Sequence, residues 1–428
     1  MIPVLLAVSE LDAGNAPEGE RHPILGLSEA LTLEDALRLA AGNNPELQAA
    51  MDRTEAAAGR ARQAGLWDNP SLNLNAEEWP VSGGGGFNDA KQTVGISQTV
   101  PFPGKRRLER AIGTTGLEQT AVALELRRRE LVREVTSAYY RTLAAQNLVT
   151  VAGDLVSVAE SSANYARERV RAGAAADQEQ LRAEISLEQA RAELEGFRQQ
   201  QATAHQLLVQ FLGDTTFIEH QLSGVLPETA DLDKLNRPPE TWLLRHPELI
   251  MAETGQKQAD LQLKRAGLKP YPDVTVALAG GRLGDTSQSI VELGLTIPLP
   301  LIDTSRGDRQ EAAANVRVAE AERLAAEIRL LTEWRSTCVR FRTAAGQVDT
   351  YRDRILPRAN EALRLVRTGF EEGKFGFIDL LDTQRTAAEV RLAYQHRLLE
   401  LGLAQAEIEY FTGRPAPAAT TSLRSTNP

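Results

Sequence analysis

Cysteine occurs once in 428 residues, at Cys338, so the chain can form no internal disulfide and no thiolate metal cluster. Its helical spacing with Trp334 and Phe341 reads as a small buried side chain rather than a nucleophile. Histidine is scarce as well. His22, His205, His220, His246 and His396 show no HxxH, HxH or HExxH spacing, and no nucleophile, base and orienting group stand together. The sequence therefore offers no catalytic set, no cofactor site and no metal site. A basic surplus is missing: a formal charge of −10 leaves nothing to neutralise phosphates, which excludes a nucleic-acid partner. The run Arg127-Arg128-Arg129 is offset by Glu125, Glu130 and Glu134 and reads as a solvated helix face. No apolar run approaches the ~20 residues of a membrane helix. Aromatics are only 5% of the chain, while Ala, Leu, Arg, Glu and Gln dominate and 25% of residues are charged. That is the composition of long packed helices with narrow seams.

The opening Met1-Ile2-Pro3-Val4-Leu5-Leu6-Ala7-Val8 has the apolar core of a signal peptide without its basic flank. It reads as the remnant of an export signal, within an N-terminal segment, 1–28, that continues Gly, Pro and Glu rich and disordered. No cysteine follows it to carry an N-terminal lipid. Order begins near Leu31, where Thr32 and Asp35 predict a capping box opening a helix. That helix breaks at Asn43-Asn44-Pro45 and runs to about Trp67, before Asn69-Pro70 stops it. Two stretches with period two follow, 71–79 and 92–100. Leu72, Leu74, Val94 and Ile96 fall on one face and Asn73, Asn75, Thr93 and Ser97 on the other, which predicts strands. The loop between them holds Gly83-Gly84-Gly85-Gly86 but lacks the GK[ST] of a phosphate-binding loop.

After Pro101-Phe102-Pro103-Gly104 the helical spacing resumes. Leu117, Leu124, Leu131, Val135, Ala138, Thr142, Ala145 and Val149 trace a coiled-coil seam, predicting a rod roughly 100 Å long at 1.5 Å per residue. It turns at Gly173 and returns through Leu187, Leu194 and Leu208 to Gly213. The pattern then starts again. His246-Pro247-Glu248-Leu249 repeats Asn44-Pro45-Glu46-Leu47, Ile297-Pro298 repeats Val100-Pro101, and Gly373 repeats Gly173. Ala387, Val390, Tyr394, Arg397, Leu401, Ala404, Ile408 and Phe411 lie 200 positions after the first returning seam. The chain is thus read as a tandem duplication: repeat 1 over 29–213, an irregular connector over 214–239, repeat 2 over 240–413 with strands at 273–281 and 289–297, and a disordered tail over 414–428.

Strands of about nine residues suit an oblique bilayer crossing, with lipid outside and water inside. Four strands cannot close, and an open sheet edge in lipid would leave N–H and C=O groups without partners. Protomers must share one barrel, and three chains giving twelve strands make the smallest ring with a useful lumen, since about eight are filled by side chains. At the second turn, Gly373-Lys374-Phe375-Gly376, Asp379 and Asp382 share one face of the returning helix. They read either as an acidic constriction or as a solvated first turn.

The duplicated plan, the opening LTLEDALRLAAGNNPEL, the strand exits GISQTVPFPGKRR and GLTIPLPLIDTSRG, and the tip GKFGFIDLLDTQR resemble the TolC family of outer-membrane factors over 31–413. The PFPGKRR exit leans toward the branch serving cobalt-zinc-cadmium efflux. The resemblance implies a mainly α fold with a small β part: helical hairpins forming a trimeric α-barrel through the periplasm, and four transmembrane strands per protomer in a shared 12-stranded β-barrel. It implies a non-enzymatic exit duct for drugs or metal cations, with outer-membrane lipid, a periplasmic adaptor and an RND-type inner-membrane pump as partners. Asp379 and Asp382 match the family's entrance constriction, and the tips at Gly173, Gly373, Lys374 and Phe375 match its adaptor contacts. In the first repeat Glu179 stands at the place of Asp379, but Arg182 at the place of Asp382. The competing reading is a soluble periplasmic coiled-coil adaptor or scaffold, which leaves the matched insertion of both strand pairs unexplained. The duct reading predicts an SDS-resistant species near three times the chain mass that collapses on boiling. Gel mobility of the membrane fraction checks this, and a soluble periplasmic monomer would contradict it.

Overall fold

In the computed structural model the described residues are 30–78, 89–213, 221–236, 239–284, 286 and 288–413. The export-signal segment, most of the glycine loop, the start of the connector and the tail 414–428 lie outside them. Repeat 1 runs through α1 (Leu33–Asn43), α2 (Pro45–Gln63), β1 (Ser71–Glu77), β2 (Lys91–Val100), α3 (Lys105–Arg171) and α4 (Asp177–Leu212). A 3-10 turn over Leu232–Asn236 and α5 (Pro239–Leu243) precede α6 (Pro247–Leu268), β3 (Val274–Arg282) and β4 (Ser289–Thr296). The chain then continues as α7 (Arg306–Thr350), α8 (Leu356–Glu371) and α9 (Phe377–Thr412).

Local chemistry sets the element ends. Thr32 Oγ1 accepts from the Asp35 N–H at 3.2 Å, the first half of the expected box, but Asp35 Oδ2 takes its bond from the Thr32 hydroxyl, at 2.5 Å, in place of the Thr32 backbone N–H. At the break, Asn44 Oδ1 accepts from the N–H groups of Glu46 and Leu47 at 3.0 and 3.1 Å. Asn44 Nδ2 donates to Phe211 C=O at 3.0 Å, tying the start of α2 to the end of α4. α2 stops at Gln63, four residues before the expected end at Trp67. β1 stops at Glu77, two residues short of expectation, where Glu78 takes a φ of +55°.

α3 is the unbroken rod that its seam predicts, 67 residues long. One stretch of it is long and apolar enough to cross a membrane, which corrects the sequence expectation. Thr142, Leu143, Ala144, Ala145, Leu148 and Ala152 are buried along α3, so part of this apolarity goes into helix packing. The matching rod of repeat 2 is continuous but irregular. Between α7 and α8 lies one π-helical turn, Tyr351–Ile355, in which the Leu356 N–H reaches back to Tyr351 C=O. Pro357 follows directly; it has no N–H to donate, and its ring would clash with the carbonyl four residues back in a regular helix. Arg352 fastens the turn, donating to Glu228 C=O in the connector and pairing with Asp349 and Asp353, each at 2.8 Å.

The main core lies where the repeats and the connector meet. Leu31, Val135, Tyr139, Leu143, Leu222, Trp242, Trp334, Phe341, Leu401, Ile408 and Phe411 belong to one buried cluster. The connector is stitched in by backbone bonds between Leu31 and Gln221 and Ser223, and by Tyr139, whose hydroxyl lies between the C=O groups of Leu31 and Ser223. Cys338 is buried here, and burial pushes its thiol pKa up. His246 starts α6 as Asn44 starts α2, its Nδ1 accepting from the Glu248 N–H at 3.3 Å. Its ring is fully buried against Trp242, Tyr410 and Phe411.

Burial, and secondarily the charge of Arg129, lowers the His246 pKa to about 4. An unfolded histidine takes up its proton near 6.5, so between those values the unfolded state binds more protons. The stability that neutral His246 contributes is complete above pH 6.5 and is lost as pH falls toward about 4, up to about 3 kcal/mol per protomer. His246→Asn, which copies the cap of repeat 1, should flatten the fall in thermal stability across that pH window. Melting curves from pH 7 to 4 check this; an unchanged slope would contradict it.

Candidate functional site

The four strands form one antiparallel sheet in the order β1-β2-β3-β4, so β2 of repeat 1 pairs directly with β3 of repeat 2. The register sets Leu74 opposite Val94, Ile96 opposite Leu278, and Leu278 opposite Leu293. This brings Leu72, Leu74, Val94, Ile96, Val276, Leu278, Val291, Leu293 and Leu295 onto one face, and every one of them is exposed. The opposite face is small and polar. There Asn73 donates to Ser97 at 2.9 Å, the hydroxyls of Thr99 and Thr275 meet at 3.0 Å, and Lys91 bridges Glu77 and Glu292. Gly95 allows close approach of β2 and β3, since a Cβ there would come within 2.6 Å of Ala279 Cβ. Among the described residues, no strand pairs with the outer edge of β1 or of β4. A sheet with its large apolar side chains exposed and its polar ones facing the other way suits lipid on one side and a wet lumen on the other.

The helical hairpins end in two matching turns. Ala174 N–H bonds to Arg169 C=O at 2.8 Å and Gly173 N–H to Val170 C=O at 2.9 Å; Lys374 repeats the first bond to Gly369 at 2.7 Å and Gly373 the second to Phe370 at 3.0 Å. This is the Schellman arrangement, and it requires the positive φ of Gly173 (71°) and Gly373 (75°). The tips lie side by side. Ala159, Ala163, Ala166, Ala183 and Leu187 of hairpin 1 bury Phe377 and Leu380 of hairpin 2, and Tyr165 packs edge-on against Phe370 at 5.5 Å. Phe375 lies over Gly369, where a Cβ would collide with its ring, and stays half exposed. Lys374 pairs with Glu372 at 2.5 Å.

Asp379 and Asp382 are both exposed, opposite the buried stripe of Phe377, Leu380 and Ala387. Their partners differ. Asp379 Oδ2 accepts from the Gly376 N–H at 2.9 Å and so caps α9. Asp382 pairs with Arg385 at 3.0 Å, and Arg385 also approaches Glu389 at 3.8 Å. In repeat 1, Glu179 pairs with Arg169 at 3.2 Å and Arg182 is exposed. Sequence reasoning missed Arg385, although the i, i+3 spacing from Asp382 carries the signal. It also missed the seat of Phe375 on Gly369, for which the sequence has no local sign. Among the described residues no group of three or more His, Cys, Asp or Glu is placed to hold a metal ion.

Known proteins carry the same architecture. The cobalt-zinc-cadmium resistance protein CzcC of Cupriavidus metallidurans is 29% identical over 395 residues, covering 90% of each chain. The nickel-cobalt-cadmium resistance protein NccC of Alcaligenes xylosoxydans xylosoxydans is 25% identical, covering 74% of this chain and 69% of its own. The crystal structure of the outer membrane protein VceC of Vibrio cholerae superposes with a TM-score of 0.74 at 19% identity, over 89% of this chain and 96% of its own. The family model for outer membrane efflux proteins matches residues 36–214 and 239–414, one block for each repeat. The chain therefore belongs to the outer membrane efflux protein family, and it is the outer-membrane exit duct of an efflux system.

Proposed function

We propose that three copies of this chain form a duct whose periplasmic mouth selects for divalent metal cations delivered by a periplasmic adaptor and an RND-type pump. The open sheet supports the trimer: its unpaired edges need strands from other copies, and twelve strands enclose a lumen. The observation that carries the cation preference is the exposed stripe of Asp379 and Asp382 beside the hairpin turn, on the side of α9 turned away from hairpin 1. Three such stripes converging on an axis would place six carboxylates at one constriction, partly offset by Arg385. The metal-resistance names of the relatives at 29% and 25% identity agree with that chemistry. The turns at Gly173 and Gly373, with Lys374 and the half-exposed Phe375, form the surface offered to the adaptor, because they are the outermost points of both hairpins. Repeat 1, with Glu179 and Arg182, contributes no matching acidic pair.

The test separates charge from capping. In Asp379→Asn with Asp382→Asn the charge is gone, but the amide oxygen at 379 can still accept the Gly376 N–H. Conductance of the purified trimer in a planar bilayer should be blocked by divalent cations added at the periplasmic side in the native protein and not in the double variant. Trimer stability should change little, since an exposed first-turn carboxylate contributes only about 0.3–1 kcal/mol. A double variant blocked like the native protein would show that the two aspartates only cap and solvate α9.

A further inference from the structure

The two exits from the sheet differ. Between β2 and α3 lie four residues, 101–104, whereas nine, 297–305, separate β4 from α7. The short exit is well packed: Phe102 stacks on Tyr271 at 4.7 Å, and its N–H donates to Asp273 at 2.7 Å. The long exit opens with Ile297-Pro298-Leu299-Pro300-Leu301-Ile302, six residues without a polar side chain. Its large side chains are nearly bare: Leu299 is 71% exposed, Leu301 81% and Ile302 99%. Ile297 and Leu299 extend the odd-numbered alternation of Val291, Leu293 and Leu295, so the run prolongs the apolar face of β4 beyond its last ladder bond. A tight turn follows, Leu301 N–H to Leu299 C=O at 2.9 Å, and Asp303, which accepts from the Ser305 N–H, ends the apolar run.

The other three strand bases carry aromatic rings at this level. Trp67 precedes β1 with Arg106 over its ring at 4.2 Å, Phe102 follows β2, and Tyr271 precedes β3. Aromatic rings at the rim are how a barrel is seated at a membrane interface, and the fourth base has bulky aliphatic side chains in their place. β3 spans nine residues, about 30 Å along the strand and less once tilted, so an apolar band about 25 Å tall gains from an extension below β4.

We infer that Ile297–Ile302 is a lipid-contact segment that inserts among the acyl chains of the periplasmic leaflet and seats the lower rim of the barrel. This rests on the barrel reading above. The rival occupant is a second copy, because ring closure would bring Leu66 and Trp67 of a neighbouring β1 base beside this exit.

The test uses the full chain as a trimer with Cys338→Ala, reconstituted in phosphatidylethanolamine and phosphatidylglycerol vesicles. A polarity-sensitive fluorophore is attached to Leu301→Cys, with Leu299→Cys as a second reporter and Leu293→Cys on the strand face as a control. Lipids spin-labelled near the headgroup should quench the Leu301 and Leu299 reporters more than lipids labelled near the chain end, and the order should reverse at Leu293. A Leu293 reporter quenched by lipid alongside Leu301 and Leu299 reporters that answer only to aqueous iodide would overturn the inference. So would reporters at 301 and 299 shielded from both quenchers, which would assign the segment to the neighbouring copy. A Leu293 reporter insensitive to lipid would sink the barrel reading itself, and this inference with it.

Discussion

A backbone N–H or C=O without a partner is tolerable in water and costs several kcal/mol in hydrocarbon. The rest of this structure depends on that constraint. Among the described residues, four strands with an exposed apolar face leave two unpaired edges, at β1 and β4, and the membrane location of the family forbids leaving them so. The sheet can meet the constraint only by passing its edges to other copies. The small and polar residues of the opposite face, Gly95, Ala279, Ser97, Thr99 and Thr275 among them, then line an interior of low bulk.

The helical part answers a different demand, which is length. A rod of 67 residues cannot be held by one globular core, so the packing is distributed. The large side chains concentrate where the repeats and the connector meet, and a small alanine-rich cluster holds the tips together. The repeats differ most where the two rods pass the connector. Hairpin 1 runs through without interruption, whereas hairpin 2 carries a π turn, a proline and an arginine bound to the connector. The duplication therefore supplies the scaffold, and each rod binds the connector through residues of its own, Tyr139 and Gln146 in repeat 1 and Arg352 in repeat 2.

Much of this was legible because the signals are local. Period two in Leu72–Leu74 and Val94–Ile96 gives both strand and facing, and the spacing of Leu131, Val135, Ala138 and Thr142 gives the seam. Gly173 and Gly373 give the turns, because only a residue without Cβ takes that φ cheaply. What could not be read is non-local. The pairing of β2 with β3, 176 positions apart at Thr99 and Thr275, follows from how the repeats assemble. The burial of His246 among Trp242, Tyr410 and Phe411 depends on three separate elements. At the candidate site the sequence placed Asp379 and Asp382 on one face of α9, but the cap on Gly376 and the pairing with Arg385 emerged only from side-chain geometry.

A shared barrel requires pairing between β4 of one copy and β1 of the next, and disulfide trapping reads that pairing out. In a Cys338→Ala background, Leu74→Cys can be combined in turn with Val291→Cys, Leu293→Cys and Leu295→Cys, and the membranes oxidised. Leu74→Cys with Val94→Cys, partners within one chain, serves as the control. Covalent dimers and trimers are expected on denaturing, non-reducing gels for at least one β1–β4 combination. Monomers alone at every combination, in membranes where the control pair does cross-link, would contradict a shared barrel.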